Sequence, residues 1–130
     1  EAGTSPAFYQ RSYRKNSILI MVRVDLYKDD NGMIKSFRVE GHTGYADRGQ
    51  DIICAGISAI TQTAVIGLMN YLGRKPVYEK DDGLLACKLP PVLSGDDVLK
   101  AQTILGTMEM GLKEIELQYR DFIQIRVRRC

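Results

Sequence analysis

The sequence predicts an α+β fold: element order β-β-α-β-β-α-β, with a mostly antiparallel sheet packed with two long helices. Three observations predict it. Apolar residues alternate with polar ones over five short stretches, the period of a half-buried strand. They recur at three- and four-residue steps over two long stretches, the period of an amphipathic helix. The turn dipeptides Asn31-Gly32 and Asp82-Gly83 each join two of the short stretches, which makes two hairpins. A length of 130 residues suits one domain that buries a core without staples.

The first strand starts at Val22, with Val22, Val24 and Leu26 on one face and Arg23, Asp25 and Tyr27 on the other. The second, about Met33 to Gly41, puts Met33, Phe37 and Val39 together. A polar loop containing Gly41, Gly44 and Gly49 leads to Asp51, which reads as a helix N-cap because a short carboxylate accepts the unpaired N–H groups of a first turn. Ile53, Ile57, Ile60, Ala64, Leu68 and Leu72 then mark a helix ending near Gly73. In the second hairpin, "PVYEK" and "LLACKL", the residues Leu85, Cys87 and Leu89 share a face, and Pro90-Pro91 stops the strand. "SGDD" caps a second helix, whose stripe is Val98, Ala101, Leu105, Met108, Leu112, Ile115 and Tyr119. A last strand, Phe122 to Arg128, carries Ile123, Ile125 and Val127 on one face. The stretch "EAGTSPAFYQRSYRKNS" is polar, basic and without period, and residues 1–20 are expected to be a leader or upstream extension outside a single domain over 21–130; the alternative is that "SILIMVRV" is one long strand.

Composition excludes several classes. A net charge of +2 gives no electrostatic case for direct nucleic-acid binding or for a membrane partner. The three cysteines form no CxxC and no Cys/His cluster, so neither a metal site nor another cofactor is implied, and a reducing, cytoplasmic setting is the simplest reading. The apolar run "ILIMV" near the start is too short to span a bilayer.

One stretch, "GHTGYADRGQDIICAG" from Gly41 to Gly56, holds the single histidine, His42, and one cysteine, Cys54. A thiolate is scarce at neutral pH unless something stabilises it. A helix start just before Cys54 would lower its pKa and offer N–H groups to an oxyanion, and an imidazole brought back by the glycine-rich loop would serve as base. Ser58 lies one turn below Cys54 on the same face. The same residues also fit a small core cysteine among Ile52, Ile53, Ala55 and Ile57, with Ser58 bonding back to a helix carbonyl. Cys87, on an apolar strand face, reads as core; Cys130 is the last residue. Gly41-His42-Thr43-Gly44 matches a GxxG clamp, but that loop should join two helices and here it follows a strand.

The segment "VEGHTGYADRGQDIICAGISAI" resembles the signature of the bacterial ribosomal-processing cysteine protease Prp family (YsxB-like): strand, Gly-His, a glycine-containing loop, Asp-Ile-(Val/Ile)-Cys-Ala, then a helix with a serine one turn on. The resemblance covers about Met21 to Arg128. It implies a cysteine endopeptidase that removes the N-terminal extension of large-subunit ribosomal protein twenty-seven, cutting after an aromatic residue. By motif position, His42 is the base and Cys54 the nucleophile, with Gly41, Asp51 and Ser58 supporting; Thr43–Gln50 is a substrate-gating loop, for which Gly44 and Gly49 are the expected pivots. It also implies a homodimer. The alternative is a non-catalytic, ribosome-associated or RNA-binding module in which Cys54 is structural.

Overall fold

In a computed structural model, residues 21–41 and 48–130 are described, apart from the side chains of 48–51. The elements are β1 (Val22–Lys28), β2 (Ile34–Glu40), α1 (Arg48–Tyr71), β3 (Val77–Asp81), β4 (Leu84–Lys88), α2 (Gly95–Gln118) and β5 (Ile123–Arg129). This is the expected order. The five strands form one sheet in the order β3-β4-β2-β1-β5. Every pairing is antiparallel except β1 with β5, which is parallel because the chain returns through α2.

Both helices cover one face of this sheet. Val22, Val24 and Leu26 of β1 meet Leu85 and Cys87 of β4, Ile57 and Leu68 of α1, and Leu105 and Leu112 of α2 in a single core. Gly32 and Gly83 take φ of 80° and 73° at the two hairpin turns, a region where glycine carries no Cβ penalty. Asp29 accepts the N–H groups of Asn31 and Met33 and so closes the first turn.

One face assignment is corrected. Met33 lies outside β2, and Ile34 takes the core position instead, 3% exposed. The register shifts by one residue between Tyr27 and Lys28, where Lys28 faces Ile34 and Tyr27 faces Ser36. That bulge flips the start of β2 relative to Phe37, which a strict period of two cannot anticipate.

The helix ends are locked to each other. Ser94 caps α2 by accepting the Asp97 N–H at 3.1 Å. The buried Asp97 carboxylate in turn accepts the Gly73 N–H at 2.8 Å, so the turn after α1 is held by the start of α2.

The sheet's other face is polar, and it hides one acid. Asp25 is 3% exposed, beneath Arg126 at 2.9 Å and Arg128 at 3.4 Å. Burial alone would raise its pKa, but hydrogen bonds and charge from the two guanidinium groups outweigh that and hold it below the ordinary 3.8. The folded state therefore favours the charged form. The resulting stability is present above the ordinary aspartate value and is lost as pH falls through the lower folded value. Asp25→Asn is expected to be less stable than the parent at neutral pH, with the gap closing below about pH 4. Chemical denaturation at a series of pH values checks this; parallel curves for the two proteins would remove Asp25 from the acid sensitivity.

Candidate active site

The chain leaves β2 through Gly41, whose N–H donates to the Gly83 carbonyl at 3.2 Å and whose φ is 113°. This bond sets the tip of the β3–β4 hairpin beside the end of β2. His42, Thr43 and Gly44 follow directly and lie outside the described residues, so the His42–Cys54 relation rests on sequence.

Helix α1 begins at Arg48, earlier than expected, with three consequences. Asp51 is the fourth helical residue and not the N-cap. Gly49 and Gln50 are helical, so the expected loop Thr43–Gln50 is shorter at its end and Gly49 is a first-turn residue, not a loop pivot. Cys54 is the seventh residue, in the second turn. The four N–H groups without intrahelical acceptors belong to 48–51, and the dipole's effect falls off within the first turn. The helix start thus lies further from Cys54 than the sequence suggested.

Cys54 is buried at 3% exposure, with Ile53 and Ile57 on the same inward stripe, while Ile52 points outward at 67%. One turn on, half-buried Ser58 lines a cleft of about 440 Å³ between α1 and the sheet. Its helix wall is Ser58, Thr61 and Gln62, and its strand wall is Val39, Glu40 and the hairpin Lys80–Leu85. Lys80 Nζ donates to Gln62 Oε1 at 3.0 Å and ties the two walls together. Cys54 itself is not among the lining residues; Ser58 is the motif residue that reaches the cleft.

Thr61 and the hairpin tip escaped sequence reasoning. Thr61 is 1% exposed, and its hydroxyl donates to the Ile57 carbonyl at 2.9 Å. The available signal was a polar residue within the apolar stripe, three positions after Ser58. The hairpin gives no such signal, because only the sheet order brings it to α1.

Cys87 behaves differently from a nucleophile. It is buried on β4, and desolvation pushes its thiol up to about 11, so thiolate is negligible at neutral pH. The assignment as core is consistent with that.

The family model "Cysteine protease Prp" matches residues 21–124. The ribosomal processing cysteine protease Prp of Bacillus subtilis is 29% identical over 107 residues, which cover 81% of this chain and 96% of the relative. A crystal structure of an essential ribosomal processing protease Prp from S. aureus in complex with a substrate peptide superposes with a TM-score of 0.72 at 27% identity, covering 83% of this chain and all of that one. Another S. aureus Prp structure, with a covalently linked product peptide, gives a TM-score of 0.70 at 28% identity over the same shares.

Proposed function

For a chain that belongs to the cysteine protease Prp family, and so is a cysteine-type endopeptidase, we propose that the substrate is the N-terminal extension of large-subunit ribosomal protein twenty-seven, cut by Cys54 with His42 as base. The observation that carries this reading is the cleft beside α1. It is open to an extended peptide, it is walled by β2 and the β3–β4 hairpin, and it begins one helical turn from Cys54. In the S. aureus relatives a substrate peptide is bound and a product peptide is covalently linked, which supports an acyl-enzyme route here.

His42 takes the Cys54 thiol proton, and the sulfur attacks the scissile carbonyl carbon. The tetrahedral intermediate collapses, the C–N bond breaks, and His42 returns the proton to the leaving amine. Water then attacks the thioester carbon with His42 again as base, which releases the acid product and restores the thiol. Ser58 contributes the cleft floor nearest the sulfur. Gly41 fixes where the chain enters the segment that carries His42, and Asp51 stabilises the first turn above Cys54. The same proposal places the enzyme in the cytoplasm as a homodimer. Helix α1 is apolar around much of its surface, with Ile52–Tyr71 long and apolar enough by composition to cross a bilayer. A helix of that kind needs cover on more than one side. The apolar groove of about 590 Å³ between the outer faces of α1 and α2, including Ala59, Gly67, Thr107 and Gly111, is the surface a second copy would cover.

Incubation with the extended ribosomal protein, followed by mass spectrometry, tests the function. The expected product lacks only the N-terminal extension, and iodoacetamide carbamidomethylates Cys54 well before Cys87 while cleavage is lost. An unprocessed substrate with an intact, folded enzyme would overturn the reading.

A further inference from the structure

The chain-wide charge of +2 conceals an uneven distribution. On the sheet face away from the helices, the register sets Arg126 beside Asp25, Asp25 beside Arg38, and Arg23 beside Glu40. Arg128 pairs with Tyr27, Tyr27 with Ser36, and Ser36 with Lys88. Four guanidinium groups on β5, β1 and β2 thus share two carboxylates, Asp25 and Glu40. The arginine side chains are 37–48% exposed, whereas the Asp25 carboxylate they cover is 4% exposed. Two further acids on this face, Glu79 and Asp81, lie on the edge strand β3, and Glu79 lines the rim of the depression beside Tyr27. Among the described residues no helix or loop covers this basic area. Tyr27 sits half-buried within it, flanked by Arg128 and, beyond Ser36, by Lys88, over a shallow depression that includes Arg38 and Ala86.

We propose that this open face is a second binding surface, separate from the peptidase cleft, for the backbone of single-stranded RNA. Arginine and lysine spaced by strand geometry, roughly 4.8 Å across the sheet and roughly 6.8 Å along it, contact successive phosphates. The ring of Tyr27 gives a base a stacking surface, the arrangement by which open sheets hold unpaired bases. On β5, β1, β2 and β4 the five cations Arg23, Arg38, Lys88, Arg126 and Arg128 face two carboxylates, Asp25 and Glu40; this local excess selects a polyanion, and the aromatic at its centre selects one with bases. The proposal stands on charge and register and does not depend on the identity of the protein substrate.

The test is fluorescence anisotropy with a labelled ~16-nucleotide single-stranded RNA, a length within the usual span of such surfaces. Saturable binding is expected at ~50 mM salt. With three or four phosphate contacts, affinity should fall roughly 20- to 50-fold between ~50 and ~200 mM salt. The combined variant Arg38→Gln, Lys88→Gln, Arg128→Gln should bind at least about tenfold more weakly with a shallower salt slope, and Tyr27→Ala about fivefold or more weakly. Peptidase activity should stay at the parental value in the triple variant, and the melting temperature should fall by only a few degrees, because Arg126 still bonds the buried Asp25 when Arg128 is gone. Lys100→Gln with Lys113→Gln, on α2, is the control and should bind as the parent does. No saturable binding at low salt would overturn the proposal, and so would an equal loss in the helix control, since that would make the attraction non-specific.

Discussion

Cys54→Ala is expected to abolish cleavage of the proposed substrate, the extended ribosomal protein, by a factor on the order of 10⁴ or more, and to shift the melting temperature by only a few degrees. The size of the catalytic loss follows from the chemistry. Without sulfur there is no thioester, and only binding and orientation remain to accelerate hydrolysis. The small stability cost follows from packing. Cys54 is buried at 3% exposure, so removing one sulfur leaves a small gap, worth about 1 kcal/mol. Cys87→Ala is the matched control. It is equally buried on β4 and should lose about the same stability, yet it should keep full activity, because its thiol stays protonated far above neutral pH. Steady-state kinetics and thermal melts on the two variants separate a nucleophile from a core residue. Substantial cleavage by Cys54→Ala, or equal activity losses in both, would remove the nucleophile assignment. His42→Ala should approach the Cys54→Ala loss, because with Cys54 in the second turn of α1 the helix start is too far away to ionise the thiol on its own.

The element order, the helix stripes and the two hairpin turns are legible in the sequence, because each rests on a local period or a turn dipeptide. Ser94 as a cap is legible for the same reason. What is not legible is what depends on neighbours. The bulge at Tyr27–Lys28 moves Ile34 into the core in place of Met33, and nothing in β2 alone marks it. Helix α1 starts before the point its sequence signals, because Asp51 is a good capping residue and residues 48–50 carry no apolar period to extend the helix backward. At the site, Cys54 and Ser58 stand out as motif positions. The cleft they adjoin does not, since its strand wall comes from a hairpin more than twenty residues further along the chain. The basic sheet face is hidden for a related reason. Net charge sums over the whole surface, and only register shows that four arginines on β5, β1 and β2 share two acids while the other acids of that face sit on β3.

Gly41→Ala should damage both folding and catalysis, although it adds one methyl group outside the nucleophile's helix. Gly41 has φ of 113°, a conformation L-residues rarely adopt, and forcing one there costs about 1–3 kcal/mol. An added Cβ would also collide with the Met21 carbonyl oxygen and crowd the Met21 carbonyl carbon at 3.2 Å, beside the Cα of Val22. Those are backbone atoms at the start of β1, in a pairing held further by Val22 N–H to Phe122 O at 3.0 Å, so no flexible side chain can yield. The end of β2 must move away from β1, and the Gly41–Gly83 hydrogen bond to the hairpin tip is strained with it. The combined cost is about 2–4 kcal/mol. Because His42, the proposed base, is the next residue, the same displacement should misplace it, and misplacement by roughly 1 Å costs about a hundredfold in rate. Gly32→Ala isolates the two causes. Gly32 has φ of 80° at the first hairpin turn, and nothing lies within 4 Å of where a methyl group would sit. It should therefore lose about 1 kcal/mol through backbone strain and retain its activity. If Gly41→Ala proves no less stable and no less active than Gly32→Ala, then contact with β1 is not what sets the end of β2, and the placement of His42 must be determined beyond Gly41.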